Sequence, residues 1–281
     1  MRIFTTAAEL RAYSEAGRGA GRRIALVPTM GALHDGHLQL VRAAAAAGYD
    51  VIASIFVNPT QFNNPDDLRL YPRLPEQDTA LLAGAGCTAL FMPAVAEVYH
   101  QPTVLHFDFG PLERVMEGAH RPGHFNGVAT VVSKLFHLAR PHAAYFGQKD
   151  FQQVAVVKQL IEDLSFDLKL IVYPTVREAD GLAMSSRNRR LTPAGRAVAP
   201  LLYQMLAQAA EQVQQGVAPA EVQAQALAAL AAEPQFTPEY FEVADAQTLQ
   251  PVTQYEAGRS VVLCVAAHLD GVRLIDNVVV D

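Results

Sequence analysis

The 281-residue chain is 51% hydrophobic and 18% charged and carries a net charge of −6, so it can bury the core of one large or two smaller globular domains. The acidic balance and the lack of a polybasic run argue against nucleic acid or a membrane surface as the main partner. Two cysteines are too few for a disulfide framework, and no signal peptide or apolar run of about 20 residues is visible, which favours a cytoplasmic protein.

The first strong pattern is a buried strand that leads through a polar turn into a helix. Residues 24–27 are four consecutive apolar residues, as in a central parallel strand, and Pro28 is expected to end that strand because it lacks an N–H donor. Gly31 and Gly36 permit a tight turn, and an apolar helical pattern then continues to about residue 47.

Two histidines occupy this turn. If the helix begins between residues 33 and 35, His34 and His37 lie on one side of its first turn, beside unpaired backbone N–H groups and the positive end of the helix dipole. Such a corner attracts phosphate. A four-residue H-x-G-H match is common by chance, and these could equally be polar turn residues without a chemical role.

A second apolar run at 50–57 completes a β-α-β unit. The polar loop 58–65 follows at the carboxyl end of that strand, where open α/β sheets bind their ligands. Gln61 is therefore a candidate binding residue, although a surface glutamine in a turn is as good an interpretation of its position alone.

Strand and helix patterns continue to alternate up to Pro174. They predict a helix at 79–85, a strand at 88–92, a strand or flap at 103–109, a helix at 128–138, a strand at 143–147, a helix at 151–164 and a strand at 168–173. The alternation implies a Rossmann-like, doubly wound parallel sheet with helices on both faces, spanning residues 1–174.

The pattern changes after Pro174. A polar loop at 175–190 contains four arginines, Arg177, Arg187, Arg189 and Arg190, which we interpret as a local anion site. Helices at 193–215 and 219–232, a strand at 240–244 and a hairpin at 261–280 turning at Asp270-Gly271 follow. Residues 175–281 are thus predicted to form a small α+β domain.

A nucleoside triphosphate would account for three separate segments: the histidine corner, residues 147–150 at a strand exit and residues 184–187 in the long loop. Lys149 and Arg187 would neutralise departing pyrophosphate, and serine hydroxyls would add donors. No G-x-x-x-x-G-K-[ST] motif is present, which favours attack at the α-phosphate over γ-phosphoryl transfer. Taken singly, Lys149 and the arginines are slightly better explained as solvated charges and Met184 as a core residue; taken together, the segments favour a ligand site.

Six segments in order resemble the pantothenate synthetase family of the H-x-G-H nucleotidyltransferase-like superfamily. They are P-T-M-G-A-L-H-D-G-H at 28–37, S-I-F-V-N-P-T-Q-F at 54–62, R-P-G-H-F-N-G-V-A-T-V-V at 121–132, K-D-F-Q-Q at 149–153, S-S-R-N at 185–188 and L-I-D-N at 274–277. The resemblance implies a magnesium-dependent, homodimeric ligase. It would join pantoate to β-alanine with ATP, through a pantoyl-adenylate, and release AMP and pyrophosphate.

The resemblance also implies residue roles. ATP would be bound by Met30, Gly31, Ala32, Leu33, His34, Asp35, Gly36, His37, Gly147, Gln148, Lys149, Asp150, Val176, Met184, Ser185, Ser186 and Arg187. Gln61 would bind pantoate and β-alanine, Gln153 would bind pantoate, and His37 would donate a proton, with His34, Lys149 and Arg187 completing the catalytic set. Gln148 stands where glutamate is expected, and no magnesium ligand is identifiable. The C-terminal domain would act as a lid that keeps water from the intermediate.

Two alternatives stay open at this point. A nucleotidyltransferase that moves AMP or CMP onto a phosphate-bearing acceptor also uses an H-x-G-H corner, although Gln61 and Gln153 favour a small polar acid. A nucleotide-sensing or RNA-binding module is disfavoured by the acidic balance and by the lack of an aromatic and basic surface.

Overall fold

The computed structural model describes residues 1–281. Internal contacts divide the chain into two compact units. The first unit contains Met1–Phe109, Arg121–Gln148 and Gln153–Pro174, and the second contains Gly110–His120, Lys149–Gln152 and Thr175–Asp281. Two short segments of the second unit therefore precede residue 174, where the sequence suggested a domain boundary. None of the helices combines the length and the apolar character that a membrane crossing requires.

The first unit is built on a six-stranded parallel sheet. Its strands are β1 (Arg2–Phe4), β2 (Ile24–Thr29), β3 (Asp50–Ile55), β4 (Ala89–Phe91), β5 (Ala143–Gly147) and β6 (Lys169–Tyr173), in the order β1-β4-β3-β2-β5-β6. The predicted α/β class with a doubly wound parallel sheet is confirmed. Strand β1 was not predicted, because three residues are too few for a periodic pattern.

Helices cover both faces of this sheet. They are α1 (Ala7–Gly19), α2 (Asp35–Ala46), α3 (Pro65–Leu70), α4 (Pro75–Gly84), α5 (Val95–Val98), α7 (His124–Ala139) and α8 (Phe151–Asp163). Alternate residues of β2 enter two different apolar clusters: Ile24 and Leu26 pack with α1, α7 and α8, whereas Ala25 and Val27 pack with α2 and α4. Burial on both faces explains why this strand is continuously apolar in the sequence.

The direction of winding reverses at β2. The chain passes from β2 to β3 and β4 on one side, then returns to place β5 on the other side of β2. The carboxyl ends of β2 and β5 therefore flank the topological switch point, the position where open α/β sheets bind ligands.

Pro28 does not end its strand as expected; it lies inside β2, opposite Ser54 of β3. The backbone of Ile24 faces β5, because its N–H donates to His142 Nδ1 and its carbonyl accepts from the His142 N–H. By the two-residue period of a strand, Pro28 faces the same way. Pairing between β2 and β5 stops at Leu26, so the missing N–H of Pro28 removes no ladder bond.

The strand alternative for residues 103–109 is wrong, because this segment forms no strand. Val104 is 98% exposed, whereas Phe107 and Phe109 pack on the apolar cluster of α7 and α8. The Phe107 N–H donates to the Asn126 side chain rather than to a neighbouring strand.

The second unit is an α+β structure, as predicted. An antiparallel sheet of β7 (Phe236–Asp245), β8 (Val261–Leu269) and β9 (Val272–Val280) packs with α10 (Leu201–Gln214) and α11 (Pro219–Ala232), and the unit also contains α6 (Met116–His120) and α9 (Pro193–Val198). The predicted hairpin turn has positive φ at both Asp270 and Gly271, as a type I′ turn requires. The single helix expected over 193–215 is interrupted at Ala199-Pro200, since proline cannot donate within a helix.

Candidate active site

The turn after β2 is held by buried hydrogen bonds. Asp78 of α4 accepts the N–H of Ala32 through Oδ2 and the N–H of Leu33 through Oδ1, each over 2.8 Å. Thr29 Oγ1 accepts the Gly31 N–H over 3.2 Å and donates to the Ser54 carbonyl. Three consecutive amides of the turn are thus bound by side chains of the protein.

The histidine pair begins α2. His34 is the extended N-cap residue and Asp35 the first helical residue, within the range that the sequence predicted. The rings of His34 and His37 lie with centroids 4.0 Å apart, and His37 Nδ1 accepts the His34 N–H over 3.4 Å. An acceptor Nδ1 leaves the proton of a neutral imidazole on Nε2, so His37 can donate from that atom.

Asp35 is engaged on the helix surface. Its carboxylate accepts hydrogen bonds from Arg42 Nη1 at 2.7 Å and from Gln39 Nε2 at 3.1 Å. These two bonds, that from Arg42 above all, lower the pKa of Asp35 below its ordinary value. A negative charge in the first turn also matches the dipole of α2.

Gln61 lies in a short 3₁₀ turn, Pro59–Gln61, at the exit of β3. Its side chain is buried: Oε1 accepts from Asn58 Nδ2 over 3.0 Å, and Nε2 lies 3.2 Å from Met30 Sδ. The structure therefore brings Gln61 next to Met30, the first residue of the turn that leads to the histidines.

Asn58 organises the loop around Gln61. Its amide also donates to the Gly127 carbonyl, and its Oδ1 accepts from the Tyr99 hydroxyl over 2.8 Å and from Thr60. Burial raises the pKa of Tyr99 above its ordinary value, so the hydroxyl stays protonated and able to donate. Helix α7 lies so close to this loop that a Cβ on Gly127 would be 2.3 Å from the Thr60 carbonyl oxygen.

Three other predicted residues of the first unit lie at the end of β5 or in α8. Gly147 ends β5 and Gln148 follows it, both half-buried, at the switch-point end of the sheet. Gln153 is a half-buried residue in the first turn of α8. Its neighbour Gln152 belongs to the second unit, where its amide donates to the carbonyls of Leu112 and Val115.

The remaining predicted residues belong to the second unit and are described within it. Val176 and Met184 are joined by a backbone hydrogen bond, and an antiparallel bridge pairs Arg177 with Ala183, so the first part of the polar loop is a small hairpin. A 3₁₀ turn, Ser186–Arg190, follows, and Ser185 Oγ caps it by accepting the Arg187 N–H.

Arg177 does not contribute to the local anion site that the sequence suggested. Its guanidinium makes two hydrogen bonds to Asp276, at 2.6 and 3.1 Å, donates to the carbonyls of Gly181 and Asn277, and stacks on Tyr203 at 3.8 Å. Lys149 Nζ lies 3.7 Å from the carboxylate of the exposed Asp150, and the Lys149 backbone carbonyl accepts from the Asn277 side chain.

Two residues of the site were missed in the sequence, Asn58 and Asp78. Asn58 carries a signal in hindsight, because an asparagine before proline at the end of a buried strand favours a turn with side-chain hydrogen bonds. Asp78 carries none, since it lies among the polar residues of an ordinary helix start.

The donors of this corner do not suit a resident magnesium ion. Mg²⁺ prefers an octahedron of oxygen atoms, and the structure contains no group of three or more His, Cys, Asp or Glu side chains placed to hold a metal ion. The nearby carboxylates of Asp35 and Asp78 already accept hydrogen bonds from the protein.

The comparisons with known proteins agree with one another. A family model described as pantoate-beta-alanine ligase matches residues 2–279. The chain is 50% identical to the pantothenate synthetase of Acidiphilium cryptum over 100% of both chains, and 50% identical to that of Cereibacter sphaeroides over 98% of each.

Solved structures show the same fold. The pantothenate synthetase of Thermus thermophilus matches with a TM-score of 0.90 at 44% identity, over 99% of both chains. A pantoate-beta-alanine ligase of Francisella tularensis, complexed with beta-gamma ATP and beta-alanine, matches with a TM-score of 0.83 at 34% identity, over 99% of this chain and 97% of that one. The chain is therefore an enzyme of the pantoate-beta-alanine ligase family.

Proposed function

We propose that the enzyme joins pantoate to β-alanine in two steps, with ATP as co-substrate and a pantoyl-adenylate as intermediate. The observation that carries this proposal is the pair of neighbouring imidazoles, His34 and His37, at the first turn of α2, beside the switch point of the parallel sheet. A helix start at that position suits phosphate. The complex of the Francisella tularensis relative with beta-gamma ATP and beta-alanine supports the choice of ligands.

In the first step, the pantoate carboxylate attacks the α-phosphorus of ATP and pyrophosphate leaves. His37 donates from Nε2 to a phosphate oxygen, which stabilises the charge that develops in the transition state. His34, Lys149 and Arg187 are proposed to assist, the two cationic side chains by neutralising pyrophosphate. Of the residues assigned to ATP, Ala32 and Leu33 are 0% and 1% exposed, so they support the turn rather than offer side chains to the nucleotide.

In the second step, the β-alanine amine attacks the activated acyl carbon and AMP leaves. Gln61 and Gln153 are proposed to hold pantoate, and Gln61 also β-alanine, because a carboxamide can bind both hydroxyl and carboxylate groups. Residues 175–281 are proposed to act as a lid that keeps water from the mixed anhydride.

Magnesium, the dimer and the cytoplasm are implied by the family resemblance and the composition. We propose that Mg²⁺ enters on the ATP phosphates, its usual mode in nucleotide sites, because the corner lacks a protein cage for it. Sedimentation of the purified protein tests the homodimer.

A coupled assay of AMP release tests the function. AMP is expected when ATP, pantoate and β-alanine are all present, and its release should stop when either acid is omitted. Continued AMP transfer to a phosphate-bearing acceptor, without pantoate, would contradict the proposal and favour the nucleotidyltransferase alternative.

A further inference from the structure

The buried carboxyl group of Asp78 holds the turn before the histidine pair. Asp78 is 1% exposed and has no cationic partner among its hydrogen bonds; both of its oxygens accept backbone N–H groups of the turn. Burying a carboxylate is costly unless such bonds compensate it. Since desolvating this carboxylate costs free energy, we expect its two hydrogen bonds to fix the backbone of the turn more firmly than an uncharged side chain would.

The turn needs such an anchor because its backbone is strained. Gly31 has φ of +80° and Ala32 has φ of +50°, and a positive φ is unfavourable for alanine. A Cβ on Gly31 would lie 3.0 Å from both Asp78 Oδ2 and Ile55, so the turn also packs tightly on α4. Strain of this kind persists only where neighbouring contacts enforce it.

The anchored amides adjoin the histidines. Leu33, which donates to Asp78, directly precedes His34, and the His34 N–H donates to the His37 ring. We propose that Asp78 is a positioning residue for the reaction: it reaches the substrates only through the turn, and its two hydrogen bonds set the orientation of the His34 and His37 imidazoles. Only the kinetic part of this inference rests on the proposed function.

The test uses Asp78→Asn in the full-length enzyme. Asparagine has nearly the same shape, but its NH₂ group cannot accept, so one of the two turn amides loses its partner. Asp245→Asn is the control for a general loss of stability. Asp245 also accepts two backbone N–H groups of a turn, those of Gln247 and Thr248, through Oδ1, it pairs with Arg259 through Oδ2, and it lies in the second unit.

The expected result has two parts. Asp78→Asn should lower kcat by about tenfold or more while the KM values for pantoate and β-alanine change by less than about twofold, since a small displacement of catalytic groups is costly to the chemical step. The imidazole NMR signals of His34 and His37 should shift in Asp78→Asn and stay in place in Asp245→Asn, although both variants lose thermal stability.

Other outcomes overturn the inference. Unchanged histidine signals in Asp78→Asn, or an equal loss of kcat in Asp245→Asn, would reduce Asp78 to a stabilising residue. If Asp78→Asn does not fold, Thr29→Val loosens the same turn by removing the acceptor of the Gly31 N–H, and the same signals must then shift. Wild-type enzyme that shows no turnover would contradict the proposed function, and the NMR comparison would still decide the role of Asp78.

Discussion

Asn58 donates its side-chain N–H to the carboxamide oxygen of Gln61 across 3.0 Å, and both side chains are almost fully buried. Because Asn58 also binds the loop backbone and Tyr99, it fixes the rotamer of Gln61 before any ligand arrives. The residues that orient Gln61 are thus distinct from the ligand contacts proposed for Gln61 itself.

Gln61→Ala should raise the KM values for pantoate and β-alanine by about tenfold or more and leave ATP affinity within about twofold, because it removes a carboxamide but leaves the loop backbone held. That backbone is independently fixed, since the Gln61 carbonyl contacts His124 Nδ1 at 2.8 Å. Steady-state kinetics and an ATP titration measure the two effects. Equal losses for all three ligands would show that the loop had collapsed.

His37→Ala should fold normally and lose adenylate formation by a factor of about 10² or more, because it removes a donor directed at charge that develops in the transition state. Exchange of radiolabelled pyrophosphate into ATP measures this half-reaction. His137→Ala, at an exposed position of α7, is the control and should keep wild-type exchange. Near-normal exchange in His37→Ala would show that His37 has no catalytic role in adenylate formation.

ATP and pantoate without β-alanine should release pyrophosphate in a burst of about one equivalent per active site and then nearly stop, because the proposed lid protects the adenylate from water. Arg187→Ala should slow the burst, whereas Arg189→Ala, at an exposed position, should not. Rapid quench measures both rates. Pyrophosphate that forms only after β-alanine is added would contradict the two-step mechanism.

Arg273→Met should lower the free energy of unfolding by about 3 kcal/mol, since breaking a largely buried ion pair leaves carboxylates uncompensated. Arg273 makes two 2.7 Å hydrogen bonds to Glu117 and also pairs with Glu239. Denaturant titration measures the change. Arg69→Met, which breaks the exposed Arg69–Asp66 pair, should cost less than about 1 kcal/mol. If both variants lost a similar free energy of unfolding, burial of the Arg273 ion pairs would not explain the loss.

The turn at Asp245 predicts a loss of stability in acid. Hydrogen bonds to the carboxylate, first that from the Thr248 N–H, lower the pKa of Asp245 from 3.8 to about 2. A pKa lowered by folding stabilises the protein above the unfolded value, and this contribution disappears as the pH falls from about 4 to about 2. Asp245→Asn should flatten the stability profile in this interval; an unchanged slope on denaturant titration would contradict the assignment.

Local patterns predicted most of the fold because they record burial directly. The continuous apolar run of β2 reflects its two covered faces, and Asp270-Gly271 specified its hairpin turn. The position of Pro28 inside β2 was unpredictable, since it depends on where pairing with β5 stops, which is a property of the assembled sheet.

The candidate site was predictable where its residues are close in sequence and not where they are distant. The His34–His37 contact follows from helical spacing. Asp78 binds amides 45 and 46 positions earlier, and the ion pair that occupies Arg177 spans 99 positions. Periodicity in the sequence reports only on residues close to one another along the chain. It could not show that Arg177 pairs with Asp276, so Arg177 was interpreted as part of an anion site.

The separation between Glu117 and Arg273, 156 positions, also matters during synthesis of the protein. At about 5–20 residues per second, Glu117 leaves the ribosome on the order of ten to thirty seconds before the arginine that neutralises it. During that interval residues 110–120 have no β7 to β9 sheet to pack on, although strands β1 to β4 are already complete. A nascent chain stalled before β9 should therefore show residues 110–120 open to protease, although all six strands of the parallel sheet have by then been synthesised.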